Sequence, residues 1–439
     1  MKKLIQTIKN IFKIEELRNR IGYTILLVLV YRLGSFIVLP GIDPTMLEAL
    51  KTQTADGLLG ILDMFSGGAF SNASIFALGV MPYISASIVI QLLGIMVPYF
   101  QRLQKEGESG RRKMNQLTRY LTILILAVQA PAYMANLHTQ LPTEAFLLSG
   151  FSYTVFATIV LIGGTIFTMW LGERITDRGL GNGISLIIMV GIIARLPHSL
   201  LAEVASRMTQ VAGGGILMFI VEMIILFFVF IAAIALVQGT RRIPVQYAKR
   251  MIGNKQYGGT RQYIPLKINA AGVMPIIFAQ ALMMFPMLFS GMDSAAGFVT
   301  AMSNMNGFWY NFVFFLLVVA FTYFYTAVTV NPTNMAEDMK KNGGFIPGIK
   351  PGKKTAEYLD SIMSRITFPG SIFLGIIAIL PAFAKMLGIE MSFAQFFGGT
   401  SLLILVGVVL DTLQQLESHL LMRHYDGLMK TGRLKGRNG

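Results

Sequence analysis

Apolar runs separated by short polar ones fill most of the chain. Ten of them, at 21–40, 73–97, 118–137, 151–172, 183–197, 214–237, 268–290, 308–330, 366–387 and 396–416, read as membrane spans, the fifth being short. A helix rises 1.5 Å per residue, so about 20 apolar residues cross the hydrocarbon. One further apolar run, 58–65, is too short to cross and ends in Ser66-Gly67-Gly68. A broken backbone at membrane depth must lie inside protein or line a cavity, because lipid offers no hydrogen bonds. The stretch 58–70 therefore reads as a plug at the mouth of a pore, or as an ordinary re-entrant or interfacial helix.

Composition agrees with a membrane protein. Of 439 residues 54% are hydrophobic and 13% charged, about half the charge of an ordinary soluble domain. There is no cysteine, which removes thiol catalysis, disulfides and Cys-ligated metal, and four histidines without an HExxH pattern leave little material for zinc. No catalytic residue, metal or cofactor is expected. Residues 4–17 mix Lys and Glu with Leu4, Ile5, Ile8, Ile11 and Phe12 on one helical face, so 1–20 reads as an amphipathic interfacial helix rather than a cleaved signal.

Lys and Arg number 37 against 22 Asp and Glu. All but Arg32, Lys51, Arg195, Arg207 and Lys385 fall in the termini and in alternate connections, which places both termini and the long loops in the cytoplasm. The basic charge follows first from this topology and implies no DNA partner. Ten spans divide as five (21–197) and five (214–416) about an external connection at 198–213, with large cytoplasmic loops at 238–267 and 331–365 and a tail at 417–439. An odd number per half makes the second half inverted, with the working site between the halves. Gly79 and Pro82 interrupt span two, and Gly272, Pro275 and Pro286 interrupt span seven, at matching places.

Within the spans, Ile84 and Ile88 share a helical face, as do Ile184 and Ile188, while Ile277 and Ile404 stand in spans seven and ten. Taken alone, such residues are as well explained by packing or lipid contact. Arg32, Glu222 and Asp411 lie in or at the edges of spans, where a transporter would place ion relays. Only Arg32 is deep, and the lack of partners favours structural roles. The two large loops carry Arg241, Arg242, Lys249, Arg250, Lys350, Lys353 and Lys354 near Gly and Pro turns, a surface suited to RNA phosphate, an acidic protein face or anionic lipid.

Eight runs in one order resemble the SecY family, the central subunits of protein-conducting channels. They are RLGSFIVLPGID (32–43), DMFSGGAFSNASIFALGVMPYISASIVIQLL (63–93), KEGESGRRK (105–113), ITDRGLGNGISLII (175–188), QGTRRIPVQYAKR (238–250), INAAGVMPIIFAQ (268–280), NPTNMAEDMKKNGGFIPGIKPG (331–352) and GTSLLILV (399–406). The resemblance implies an all-α integral membrane channel of ten helices in two inverted five-helix halves. It would pass unfolded secretory proteins outward, release apolar segments sideways into the bilayer, and open between spans two/three and seven/eight. By position the resemblance puts a pore ring on Ile84, Ile88, Ile184, Ile188, Ile277 and Ile404, and a plug on 58–70, with Leu59, Ile61, Leu62, Met64, Phe65, Gly67 and Gly68. Gln91, Asn182, Asn269 and Gln280 are polar groups near the lateral seam, equally suited to hold the gate or to glue helices together. The implied partners are small SecE and SecG subunits, a SecA motor and the ribosome at Arg241, Arg242, Lys249, Arg250 and Lys350, together with signal sequences and nascent chains. In the family the place of Lys350 is usually Arg, whose bidentate pairing Lys cannot reproduce.

Two other classes compete. A secondary transporter shares inverted repeats and broken spans but needs several ionisable residues at the midplane. An intramembrane enzyme needs a Ser/His, paired-Asp or HExxH arrangement that the spans lack.

Overall fold

The computed structural model describes residues 14–47, 58–148, 150–209, 215–247, 250–252, 255–257, 261–283, 297, 301–302 and 304–431. Of the expected interfacial helix at 1–20, residues 1–13 lie outside them, and 15–20 are the start of the first described helix. Seven described helices are long and apolar enough to cross a membrane, or eight if a bent pair forms one span. They are α5 (Glu108–Gln140), α6 (Phe151–Arg178), α7 (Gly183–Thr209), α8 (Gly215–Gln238), α10 (Phe308–Thr329), α12 (Lys353–Met386) and, after the one-turn α13 (Met391–Ala394), α14 (Gly399–Thr431). The bent pair is α3 (Met81–Met96) with α4 (Pro98–Lys105), which turn through 96°. Two of the ten expected spans are not among these. In α1 (Glu15–Gly34), Glu15, Glu16, Arg18, Arg20 and Arg32 shorten the apolar stretch, and of 268–290 only α9 (Met274–Met283) and its approach are described.

Three local readings need correction. The run 73–97 is not one helix: residues 66–80 form turns, and α3 begins only at Met81. Gly79 at φ +53° and Ala73 at φ +44° break the helical path, and Pro82 sits in the first turn of α3, where its missing N–H leaves no bond unmade. The same tetrapeptide, Gly-Val-Met-Pro, opens α9, with Gly272 at φ +64°. Secondly, the fifth span does not end at Pro197; α7 continues to Thr209, since a proline inside a membrane helix forfeits only a local bond that neighbours replace. Thirdly, the large loops hold five short strands that the sequence reading did not foresee. β1 (Thr240–Tyr247) pairs antiparallel with β4 (Arg261–Lys267) from Thr240 opposite Lys267 to Gln246 opposite Arg261. It also pairs with β5 (Gly344–Phe345) through Gln246 and Tyr247. A separate ribbon joins β2 (Arg250–Ile252) to β3 (Lys255–Tyr257). The fold remains predominantly helical.

Two compact units emerge, 1–198 with 407–439, and 199–406, so the divisions fall within α7 and within α14. In the first unit an apolar core joins Leu39, Ile42 and Leu47 of the connection after α1 to Phe70, Ala73 and Ala77, and to Tyr133, Met134 and Leu137 of α5 and Tyr153, Ala157 and Leu161 of α6. The turn 179–182 is pinned by Thr24 of α1, which accepts from Leu180 N at 3.1 Å, and by Gln415 of α14, which accepts from Gly181 N at 2.9 Å. In the exposed connection after α1, the amide and hydroxyl of Thr45 both donate to Asp43 and hold its carboxyl below the usual range. In the second unit the sheet packs Ile243, Val245 and Leu266 against Met339 of α11 (Pro332–Lys341), Ile346, and Leu359 and Met363 of α12.

Candidate pore and plug seat

The short helix α2 (Leu58–Phe65) is enclosed by protein: Asp63, Met64 and Phe65 are buried, as is the whole turn Ser66–Phe70. Leu62 packs against the first unit's core. A segment with its backbone broken at Gly67 (φ +65°) and Gly68 (φ +93°) exposes carbonyls that helix geometry cannot satisfy. Side chains from two helices donate to these carbonyls, and a third helix holds the segment through a side chain of its own. Tyr31 of α1 donates to Ser66 O at 3.1 Å, Arg32 to Gly67 O at 2.5 Å, and Tyr133 of α5 to Phe70 O at 2.9 Å. Arg195 of α7 forms an ion pair with Asp63 and donates to Ser71 Oγ at 2.8 Å. Each such bond is worth about 1 kcal/mol net, and about 1–3 kcal/mol is lost where one partner goes and the other stays buried.

Backbone meets backbone at the same seat. A Cβ on Gly191 of α7 would stand 2.9 Å from Phe65 O and 3.1 Å from Gly67 N, and one on Gly67 would stand 2.7 Å from Gly191 Cα. Only glycine at 191 lets the turn approach this closely. Gly191→Val is expected to push the 65–68 turn off α7, read as faster maleimide labelling of a cysteine placed at Met64; labelling as slow as in the parent would show that the seat tolerates the side chain.

Of the ring residues, Ile84 and Ile88 lie one turn apart on α3, and Ile184 and Ile188 on α7, all in the first unit; Ile277 on α9 and Ile404 on α14 belong to the second. Ile88, Ile188 and Ile404 are buried, while Ile84, Ile184 and Ile277 are half-buried. Ile184 also meets α6 closely, its Cγ1 lying 2.7 Å from where a Cβ of Gly172 would stand.

Three of the four polar residues nominated for the gate form local bonds. Gln91 donates to Ser87 on its own helix at 3.3 Å, Asn182 caps α7 by accepting from Ser185 N at 3.3 Å, and Asn269 bonds Gly272 O at 3.1 Å across the turn before α9. The Asn269 carbonyl oxygen is buried without a partner among the described residues. Gln280 is half-buried on α9. Of the basic residues, Arg241 and Arg242 are exposed at the start of β1 and Lys350 is exposed before α12. Arg250 opens β2, and Lys249 lies outside the described residues.

The sequence reading missed the partners of the charges in the spans. Arg32 reaches the plug turn, as above. Glu222 of α8 accepts from Arg207 Nη2 at 2.5 Å, Arg207 Nε donates to Glu203 at 2.8 Å, and Glu203 accepts from Glu390 N at 2.6 Å. Asp411 is exposed. The signal was present: Arg195, Glu203 and Arg207 are ionisable residues that follow an apolar run with no break except Pro197, and charges there call for partners. Tyr31 and Tyr133 gave none, since a tyrosine in an apolar helix is unremarkable.

A family model described as SecY matches residues 74–413. The protein translocase subunit SecY of Halalkalibacterium halodurans is 44% identical, over 97% of this chain and 100% of that protein. The chain belongs to the SecY family. Its SecY relative in Mycobacterium tuberculosis (strain H37Rv) is 42% identical over 94% of this chain and 97% of that one. Among solved structures, a protein conducting channel matches with a TM-score of 0.60 at 18% identity, covering 92% of this chain and 93% of that one. Sec61 in a canine ribosome-channel complex matches at 0.57 and 17%, with the same coverages. Another solved SecY, at 0.60 and 17% over 92% of both chains, is described as having a plug domain that stabilises the closed state and maintains a membrane seal. With its seven or eight described spans, this SecY-family chain is a multi-pass membrane protein of the protein-conducting-channel fold.

Proposed function

We infer that the chain is the protein-conducting subunit of a translocase in a bacterial plasma membrane, with both termini cytoplasmic. The observation that carries the reading is the seat of α2 and its following turn, a segment too short to span, held in protein by hydrogen bonds and an ion pair to three longer helices, in a chain of the SecY family. In this reading 58–70 closes the pore from outside. Ile84, Ile88, Ile184, Ile188, Ile277 and Ile404 form the waist, too narrow and apolar to hold water, so ions are barred by dewetting while a polypeptide passes. The channel has no catalytic chemistry; the driving force comes from a SecA motor or the ribosome docked on Arg241, Arg242, Lys249, Arg250 and Lys350, with SecE and SecG alongside. The seam with Gln91, Asn182, Asn269 and Gln280 opens to lipid. Each central Leu, Ile, Phe or Val of a nascent span gains about 0.3–0.6 kcal/mol on leaving the pore, and a polar secretory segment gains nothing, so composition alone sorts the two.

The chain has no cysteine, so single ones report cleanly. Ile84→Cys and Ile277→Cys are each expected to form a disulfide with a cysteine in a secretory chain arrested in transit, while a cysteine at exposed Phe156 is not. Arrest without a cross-link at either ring position would move the path elsewhere and return weight to a transporter.

A further inference from the structure

The turn that follows α2 is held between two guanidinium groups. Arg32 Nη1 lies 3.1 Å from where a Cβ of Gly67 would stand, and Arg195 Nε 3.2 Å from where a Cβ of Gly68 would stand. Arg32 spends its contact on a carbonyl, but Arg195 meets a charge. Asp63, only 6% exposed, is the sole charged residue of 58–70. One of its oxygens pairs with Arg195 and the other accepts from Ser71 N at 2.7 Å. Ser71 Oγ takes the second Arg195 contact at 2.8 Å and donates to Gly68 O at 3.3 Å. The carboxylate rides on the short segment and the guanidinium on the long helix α7. Asp63 is buried and Arg195 half-buried, so separating them strands the carboxylate inside protein and leaves the guanidinium without its counter-charge.

We propose that Asp63 and Arg195 form an electrostatic latch that holds the plug shut, with Arg195 as the positioning residue that sets how readily the channel opens. This rests on reading 58–70 as the plug. The tyrosine bonds to Ser66 and Phe70 act on any backbone in that place, whereas the latch acts on charge and yields to whatever separates the pair. Cargo must therefore break an ion pair as well as displace a segment, which raises the threshold for weak signal sequences.

The test uses the chain co-purified with its small subunits and reconstituted into vesicles. Arg195→Gln, which leaves the buried Asp63 carboxylate unpaired, and Asp63→Asn, which removes it, are each expected to raise the resting ion leak at least about tenfold. Both are also expected to admit a secretory protein with a defective signal. Arg195→Lys, which keeps the charge, is expected to stay within about threefold of the parent. The double neutral variant is expected to leak no more than the worse single one, because the second substitution removes a charge already stranded. A simple packing role would make Lys as leaky as Gln and the two effects multiplicative, and either result overturns the latch, as does a leak within twofold of the parent in both single variants. An arrested chain cross-linked to Ile84→Cys in the same vesicles keeps the channel reading intact, so that an unchanged leak then strikes the latch alone. An unchanged leak with no cross-link overturns both.

Discussion

Arg207→Met is expected to lower stability by about 3–5 kcal/mol, the usual cost of removing one member of a buried ion cluster. Arg207 is 5% exposed and stands between Glu203 and Glu222, which are 0% and 1% exposed. Without it, two carboxylates face each other with no counter-charge, and the Glu203 contact to Glu390 N, which ties α7 to the turn near Gly388, loses its anchor. The cluster already carries one carboxylate more than it has cations, and Glu222 Oε2 has no hydrogen-bond partner among the described residues. Glu222→Gln, which removes the surplus charge and keeps an acceptor for Arg207, is therefore expected to cost less than about 1 kcal/mol. Thermal unfolding of the detergent-purified complex separates the two: equal losses in both variants would mean that the Glu222 charge is needed by the cluster and is not a surplus.

Ile404→Asn and Ile277→Asn are each expected to raise resting ion conductance at least about tenfold and to relax the demand for an intact signal sequence. If these positions form the proposed waist, an amide there brings donors and acceptors that hold water, and a wetted constriction no longer excludes ions. The membrane potential then works through the leak at roughly 2.3 kcal/mol per charge per 100 mV. Ile404 is buried and Ile277 half-buried, so Ile404→Ala is the control: it opens space without polarity and is expected to leak far less. Unchanged conductance and unchanged stringency in both Asn variants would remove the ring from these positions.

The hydrophobic pattern made the long helices legible, because only a helix or a closed barrel satisfies its backbone in lipid, and lengths near 20 residues leave little choice. It also isolated 58–65 as too short to span. It did not reveal where helices begin. The apolar run 73–97 hides a stretch of turns, since Ala73 at φ +44° and Gly79 at φ +53° are conformations that apolar periodicity does not report. Pro197 marks no helix end for a related reason: a proline ends a helix in water more readily than in a packed membrane bundle. The plug seat was legible by half. The Ser66-Gly67-Gly68 break marked the turn, whereas Gly191, which receives it, lies 123 positions away in an ordinary apolar helix. The strands of the large loops escaped because Pro244 and Pro265 argue against strand and because β5 is two residues long.

That two-residue strand has a mechanical consequence. By pairing with Gln246 and Tyr247, β5 makes the two large loops edges of one sheet, and the same sheet is packed on Leu359 and Met363 of α12. A push delivered to either loop is thus carried by both. From there the load enters a helix of 34 residues, about 51 Å of stiff rod, interrupted only at Pro369 and Pro381. Sheet and helix thus form one continuous mechanical element, with the loops at its grip.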